Sequence, residues 1–225
     1  MNSLFARTIL GFLALLTILA MVIFVPAGTV NFWQGWLCLA VFMGCAALIT
    51  VYLARYDRAL LASRVSAGPT AETRPVQKMI QALASLGFVL LFIVPGLDHR
   101  FGWSHLSEVI VFTADALIVL GFIVVFFVFR ANSFTSATIE VKQEQRVISN
   151  GPYRIVRHPM YAGAILICIF IPLALGSWIG VPCVLPLMAA IVARMGDEEQ
   201  FLSQNLPGYA AYLKRVPYRL LPGVW

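Results

Sequence analysis

The stretch LSEVIVFTADALIVLGFIVVFFVF, residues 106–129, carries apolar side chains at most positions and decides which class of fold the chain can adopt. A helix needs roughly 17 to 25 residues to cross the hydrocarbon core of a bilayer, and this stretch has that length. Three further runs have the same character, at residues 8–25, 32–54 and 79–97. The sequence therefore predicts four transmembrane helices.

The overall composition indicates a membrane protein and excludes an ordinary soluble domain. Of the 225 residues, 60% are hydrophobic and 12% are charged, and the mean hydropathy is +0.87. Arg7 and the first apolar run resemble a secretory signal, but the run exceeds the usual apolar core of about 7 to 15 residues, so we predict a span. The cysteines lie inside apolar segments without metal-ligand spacing. We therefore expect reduced thiols and no metal site.

Two shorter apolar runs follow the four long ones, at residues 160–175 and 179–193, with the turn-like segment 176–178 between them. At 1.5 Å per residue each run reaches only about 24 Å. This length is short for a span, so the pair predicts a helical hairpin.

The polar residues 194–205 continue the second hairpin helix out of the membrane, and Pro207 and Gly208 end it. The expected fold is an all-α integral membrane protein with four long transmembrane helices and a C-terminal helical hairpin. Residues 1–130 form an N-terminal transmembrane bundle. Residues 131–225 form a C-terminal region with the hairpin and a cytoplasmic tail.

The positive charge is distributed unevenly along the chain, whose formal net charge is +6. If the spans alternate in direction, every lysine and arginine except Arg100 falls on one side of the membrane. The positive-inside rule then places both termini, residues 55–78 and residues 130–158 in the cytoplasm. The basic excess is explained by topology, with membrane lipids as partners, and does not indicate nucleic-acid binding.

The stretch GPYRIVRHPMYAG, residues 151–163, concentrates polar side chains directly before an apolar run. Pro159 suits the first position of a helix, which makes His158 the N-cap. The free amides and the dipole of that helix start, with Arg154 and Arg157 beside them, would form an anion site at the membrane surface. Alternatively, the two arginines extend to lipid phosphates while His158 only caps the helix.

Two adjacent acids, Glu198 and Glu199, follow the last apolar run by about one turn. Neighbouring residues of a helix point about 100° apart, so at most one of the two faces a pocket over the bundle. Arg194 lies four residues before Glu198, and a surface ion pair between them is the simplest alternative.

Together these motifs resemble a known family. The stretches RHPMYAG (157–163), RMGDEEQFL (194–202) and LPGYAAYLKRVPYRLLPGVW (206–225) resemble the C-terminal signature of the isoprenylcysteine carboxyl methyltransferases and their relatives, the phospholipid methyltransferases. The likeness extends back through RANSFTSATIEVKQEQRVISNGPYRIV (130–156). The N-terminal half resembles bacterial members in its span pattern and in FWQGWL (32–37).

The resemblance implies an S-adenosylmethionine-dependent enzyme of the bacterial inner membrane, with 131–225 as its catalytic region. The cofactor would bind in a cytoplasmic pocket, and a lipophilic or prenylated acceptor would enter from the bilayer. The family holds its cofactor without the Rossmann glycine fingerprint, and this chain has none. By motif match, the resemblance assigns cofactor binding to Asn132, Tyr153, Arg154, Arg157, His158, Tyr161, Gly163, Glu198 and Glu199.

The class of acceptor decides what the acids must do. A carboxylate, whose ordinary pKa is about 4, is already ionised at neutral pH and needs only orientation, which an arginine fork supplies. For that preferred case the catalytic set is Arg194, Glu198 and Arg219, with one of the arginines orienting the acceptor. A phospholipid amine would instead need a base, which Glu198 or Glu199 provides if burial raises its pKa. Amine and thiol methylation are the alternatives.

Two further functions are open. The stretches RHPMY and VPYRLLP are also similar to sterol-reductase-like membrane enzymes, which use NADPH. A non-enzymatic small transporter is the other alternative, but Glu108 and Asp115 are the only charged residues of the four long runs, which leaves little sign of a polar conduction path. We expect Asp115 to form a structural hydrogen bond between helices.

Overall fold

The computed structural model describes residues 2–65, 75–135 and 145–225. Within these ranges all regular structure is helical, which confirms the predicted fold class. Predictions that concern Arg74, Lys142 and the middle of the 130–156 motif lie outside the described residues. The α-helices of the described ranges are α1 Asn2–Ala27, α2 Trp33–Tyr56, α3 Arg58–Val65, α4 Pro75–Phe101, α5 Glu108–Ala131, α6 Pro159–Ala174, α7 Val184–Asn205 and α8 Tyr209–Arg215.

Four of these helices, α1, α2, α4 and α5, are long and apolar enough to cross a membrane, which confirms the four predicted spans. Large apolar side chains on their surface are exposed, including Leu48 on α2 and Val109 on α5, each 74% exposed. Such a surface suits lipid and not water. The chain is therefore an integral membrane protein.

The predicted hairpin is formed by α6 and α7, which are joined through a short 3-10 helix, Val181–Cys183. The turn between them contacts the end of α4. Ser177 Oγ donates a hydrogen bond to Asp98 Oδ2, and the backbone N–H of Trp178 donates to Ser104 Oγ over 3.2 Å. The hairpin turn therefore lies beside the C-terminal end of α4.

Two glycines allow α5 and α6 to pack at very close range. A Cβ atom on Gly163 would lie 2.9 Å from the backbone oxygen of Gly121, and one on Gly121 would lie 2.6 Å from Ile167 Cγ1. Such separations leave no room for a side chain. The contact holds the start of α6, with His158, beside the end of α5, with Asn132.

The helices α1 and α4 are in close contact around Gly96. A Cβ atom on Gly96 of α4 would lie 2.8 Å from the backbone oxygen of Ile23 and 3.1 Å from Pro26 Cβ. Toward the other end, side chains between residues 15 and 22 of α1 and between residues 80 and 92 of α4 line a large cavity. The cavity therefore lies between these helices on the side of Gly96 that is nearer the polar segments.

The structure corrects the prediction for Asp115. Its side chain is buried in α5, but neither carboxylate oxygen has a hydrogen-bond partner among the described residues. The buried side chains about one turn away on its own helix, Val111 and Ile118, are apolar and offer no donor. The expected hydrogen bond between helices is therefore absent from this part of the chain.

Candidate functional site

The polar stretch 151–163 forms a corner between two helices. The stretch begins with a 3-10 helix, Gly151–Arg154, and Pro159 begins α6. His158 occupies the predicted N-cap position, but its side chain forms no capping hydrogen bond. Its Nε2 atom lies 3.0 Å from Glu199 Oε1 on α7. The histidine therefore links the start of α6 to α7 and does not cap its own helix.

The C-terminal tail folds back against this corner. The backbone N–H groups of Arg157 and His158 donate hydrogen bonds to the backbone oxygens of Tyr218 and Arg219, each over 2.9 Å. The backbone N–H of Arg219 donates in turn to the backbone oxygen of Trp225 over 2.9 Å. Two amides at the expected anion site are therefore occupied by the chain itself.

Glu199 is buried and surrounded by three basic side chains. Its Oε1 atom lies 3.2 Å from Arg157 Nε and 3.0 Å from His158 Nε2, and its Oε2 atom lies 2.9 Å from Arg219 Nη2. We call these four residues the Glu199 cluster. Burial alone would raise the pKa of Glu199, but hydrogen bonds from His158 and Arg219 and the charge of Arg157 outweigh it and lower the pKa to about 2. The ionised carboxylate joins α6, α7 and the tail.

Glu198 belongs to a different set of contacts. Tyr161 Oη donates a hydrogen bond to Glu198 Oε2 over 2.7 Å and accepts one from Arg194 Nε over 3.1 Å. Arg194 Nη1 donates to Gln77 Oε1 on α4 over 2.9 Å. Gln77, which is fully buried, also donates to Asp197 Oδ2 over 2.5 Å. This Glu198 network connects α4, α6 and α7.

A small polar cavity of about 100 Å³ lies between the end of α5, the 3-10 helix, α7 and α8. Helix α8 forms part of its wall through Tyr209 and Tyr212, and Tyr212 Oη donates a hydrogen bond to the backbone oxygen of Tyr153 over 2.8 Å. Its polar and aromatic lining includes Asn132, Phe134, Thr135, Gln145, Arg146, Tyr153, Arg157, His158, Glu198, Tyr209 and Tyr212.

A larger cavity of about 760 Å³ extends into the helical bundle. Its walls follow α1, α4, α6 and α7, and most of the lining side chains are apolar. Two lining residues, Ile18 on α1 and Ser85 on α4, are exposed, so the cavity reaches the lipid-facing surface between these helices. At 1.5 Å per residue, the part of α4 that lines it, residues 80–92, measures about 18 Å.

The two cavities share five lining residues: Thr135, Tyr153, Arg157, His158 and Glu198. We call this set the junction. Burial raises the pKa of Tyr153, so its phenol stays protonated at neutral pH and can donate a hydrogen bond. A polar molecule in the small cavity and an apolar molecule in the large cavity would meet at the junction.

The structure brings most of the predicted site residues to these cavities. The ones that line at least one cavity are Asn132, Tyr153, Arg157, His158, Tyr161, Arg194 and Glu198. Four others line neither cavity. Arg154 is exposed at the end of the 3-10 helix, and Gly163 packs against α5. Arg219 donates a hydrogen bond to Glu199. Only one of the two adjacent acids faces a cavity, as their angular separation predicts.

Sequence reasoning missed several residues that line the cavities. Tyr209 and Tyr212 lie within the C-terminal motif, and their spacing of three residues on a short helix was the available signal. Thr135, on the segment after α5, and Arg64, on α3, carried no comparable signal. They reach the cavities only because distant segments of the chain pack together.

The lining residues fit S-adenosylmethionine, the cofactor that the resemblance implies. If the cofactor were bound, Arg146 and Arg157 would offer donors for its carboxylate, Glu198 would accept hydrogen bonds from its ammonium group or its ribose, and Tyr209 would offer an aromatic face for its adenine ring. The small cavity alone is below the roughly 300 to 1,000 Å³ of a typical ligand pocket. The cofactor therefore fits only if it also extends through the junction into the large cavity.

Comparison with known proteins supports the broader part of the resemblance. Residues 109–207 match the model of the phospholipid methyltransferase family, which is a family of methyltransferases. The matched region contains α5 from its second residue onward and all of α6 and α7, with His158, Tyr161, Glu198 and Glu199, and it ends before α8. No curated protein matches the chain at a significant level. The fold and the site thus describe a helical membrane protein whose C-terminal half is similar to membrane methyltransferases.

Proposed function

We propose that this protein is an S-adenosylmethionine-dependent methyltransferase that modifies a lipophilic acceptor at the cytoplasmic face of the inner membrane. The junction carries the proposal, because a polar cavity and a large apolar cavity that reaches the lipid share their lining residues there. A polar cofactor and an apolar acceptor in these cavities would meet at that point. The match of residues 109–207 to a methyltransferase family supports the same reaction class.

The surroundings of the junction suit methyl transfer. When bound, the cofactor supplies an electrophilic methyl group, which leaves its sulfonium sulfur as the bond to the acceptor forms. For an anionic acceptor, opposite charges cancel along this path, so a site shielded from water favours the reaction. The Tyr212–Tyr153 hydrogen bond holds α8 over the polar side. Apolar side chains of α1 and α4 exclude water on the other side.

A carboxylate is the acceptor class that the lining residues favour. Two arginines outside the Glu199 cluster, Arg64 and Arg194, line the large cavity together with one carboxylate, Glu198, whereas Arg157 also lines it but is paired with Glu199. This balance among the described lining residues suits an anion. Glu199, whose pKa is lowered to about 2, is a poor proton acceptor for an amine substrate. We therefore prefer carboxyl O-methylation of the isoprenylcysteine type, with amine or thiol methylation as the alternative.

Within this proposal the two sets of contacts have different roles. Arg194 orients the acceptor and Glu198 contacts the cofactor, and Tyr161 holds both through its hydroxyl group. Arg219 and Glu199 are positioning residues, because they line neither cavity and fix the corner that carries His158.

The reaction is tested with purified protein, methyl-labelled S-adenosylmethionine and a lipid extract from the host. We expect label in a lipophilic product that releases it as methanol in alkali, as a methyl ester does. Alkali-stable label would indicate amine or thiol methylation. Calorimetry should detect binding of S-adenosylhomocysteine. Binding of NADPH without binding of S-adenosylhomocysteine would contradict the proposal and favour a reductase.

The role of Arg194 is tested by Arg194→Ala, with Arg130→Ala as the control because Arg130 is exposed at the end of α5. We expect Arg194→Ala to lower turnover while the affinity for S-adenosylhomocysteine stays unchanged. Unchanged turnover of Arg194→Ala would show that Arg194 does not orient the acceptor.

A further inference from the structure

Arg64 is a residue of the large cavity that none of the sequence motifs includes. It lies in the last turn of α3, outside the matched region 109–207. Its guanidinium carbon lies 5.0 Å from the centre of the Phe129 ring. Phe129 precedes Asn132 by about one turn of α5, so the cation lies near the polar end of the cavity.

Arg64 has no anionic partner among the described residues. No carboxylate in these ranges contacts its guanidinium, and the groups described near it are the Phe129 ring and the Tyr161 side chain. Burial lowers the pKa of Arg64, but an arginine keeps its charge at neutral pH. A partly buried cation is costly unless acceptors lie near its five N–H donors, and none of the described residues supplies an anion. The cavity in front of it is the space that an acceptor group can enter.

We infer that Arg64 binds the anionic group of the lipophilic molecule that occupies the large cavity. This inference rests on the proposed function and narrows its acceptor to an apolar chain that ends in an anion. A guanidinium binds a carboxylate through two parallel hydrogen bonds, which gives both affinity and orientation. Arg64 therefore favours molecules that carry a negative charge at the end of the cavity where Tyr161 and Arg194 also lie.

Arg58, on the same helix, provides the contrast. Residues six apart on a helix point about 120° away from each other. Arg58 is exposed, its Nε donates to the backbone oxygen of Ala54 over 3.1 Å, and it lines a separate groove on the surface of α1 and α2. An arginine in that position meets lipid headgroups. Arg58 is the matched control for Arg64.

The experiment measures equilibrium binding of two probes to the purified full-length protein in a nonionic detergent. The probes are a farnesylated thioether carboxylate and its uncharged primary amide. We expect the wild type and Arg58→Gln to bind the carboxylate about tenfold or more tightly than the amide, and Arg64→Gln to lose most of that preference while its affinity for the amide is unchanged, because Arg194 remains in the cavity. Arg64→Lys should restore part of the preference, because it keeps the charge without the fork.

Two outcomes overturn the inference. The first is that Arg64→Gln keeps the carboxylate preference, or that the wild type shows none. The second concerns a phospholipid headgroup, which is the other source of an anion. If added phosphatidylglycerol binds the wild type and not Arg64→Gln, while the carboxylate preference persists in both, Arg64 is a lipid site.

The inference and the proposed function can fail separately. Absence of S-adenosylhomocysteine binding to the wild type would contradict the methyltransferase proposal, whereas an Arg64-dependent carboxylate preference would still stand. Calorimetry of Arg64→Gln with S-adenosylhomocysteine checks that the variant is folded, and we expect wild-type affinity. If that affinity is retained and the carboxylate preference is unchanged, Arg64 does not select the acceptor.

Discussion

Glu198 and Glu199 are adjacent in sequence but lie in two different regions of the molecule. Glu199 is buried within a cluster of Arg157, His158 and Arg219, and it faces neither cavity. Glu198 is partly buried, lines both cavities and accepts one hydrogen bond from Tyr161. The carboxylate of Glu199 is therefore surrounded by basic partners, whereas the carboxylate of Glu198 has one described partner and faces the cavities.

The difference shows that one acid of an adjacent pair can stabilise the fold while the other faces a ligand site. The Glu199 cluster holds the corner before α6, the end of α7 and the tail in one arrangement. This arrangement positions Glu198 beside the cavities. Its carboxylate can accept further hydrogen bonds from a ligand. A carboxylate that is fully paired stabilises the fold, and one that is partly paired can bind.

The largest effect on stability is expected for Glu199→Ala. Removing this carboxylate leaves Arg157 and His158 buried without their anion, and breaking a buried ion pair costs about 3 to 5 kcal/mol. Glu198→Ala should cost about 1 kcal/mol, because it removes one described hydrogen bond. Thermal unfolding in detergent measures both variants. Equal losses of stability in the two variants would show that Glu199 does not stabilise the fold more than Glu198 does.

Acid should reproduce part of the Glu199→Ala effect. The folded-state pKa of Glu199 is about 2, below the ordinary value of 4.5, so its ionised form contributes stability above about pH 4.5. That contribution is lost as the pH falls from there toward 2. We expect the difference in melting temperature between the wild type and Glu199→Gln to shrink over this range. A difference that is independent of pH would show that the charge of Glu199 is not what stabilises the cluster.

A smaller loss is expected when the α5–α6 contact is widened. The new methyl group in Gly163→Ala would lie 2.9 Å from the backbone oxygen of Gly121, and overpacking of this kind costs about 1 to 3 kcal/mol. Gly44→Ala on α2 is the control, because a Cβ atom there meets no atom within 4 Å. Gly44→Ala should leave the melting temperature unchanged or raise it. If both variants behave alike, the close approach does not set the position of α6.

The smallest effect is expected for Tyr212→Phe. It removes the hydrogen bond from the hydroxyl group to the backbone oxygen of Tyr153, which is worth about 1 kcal/mol. Tyr209→Phe is the matched control, since no hydrogen bond of its hydroxyl group is described and it lines the same cavity. We expect only Tyr212→Phe to increase proteolysis of the tail. Equal susceptibility would show that this bond does not hold α8 in place.

The sequence predicted the four spans and the hairpin and placed the candidate site in the C-terminal half, but it did not predict α3. The spans could be identified because long apolar runs require a membrane, whatever their neighbours are. The corner at His158 and Pro159 could be identified because proline restricts the local backbone. The role of the His158 side chain could not, since its bond to Glu199 joins residues far apart in the chain.

The differences between the sequence motifs and the cavities share one physical cause. Arg154, Gly163 and Arg219 belong to the motifs that carry the resemblance, yet they line neither cavity, because burial and contacts depend on how the helices pack. Asp115 was expected to find a partner, but a sequence does not show which side chains surround a buried acid.

By itself, the amino-acid sequence determined that this chain is a helical membrane protein with a hairpin and a polar corner at its C-terminal end. These features depend on local hydrophobicity, proline and charge, which act over one or two helical turns. Only the tertiary structure decided that Glu198 and not Glu199 faces the cavities, and that Arg64 lines the larger one. Those outcomes depend on the separation and rotation of packed helices, which contacts between distant residues fix.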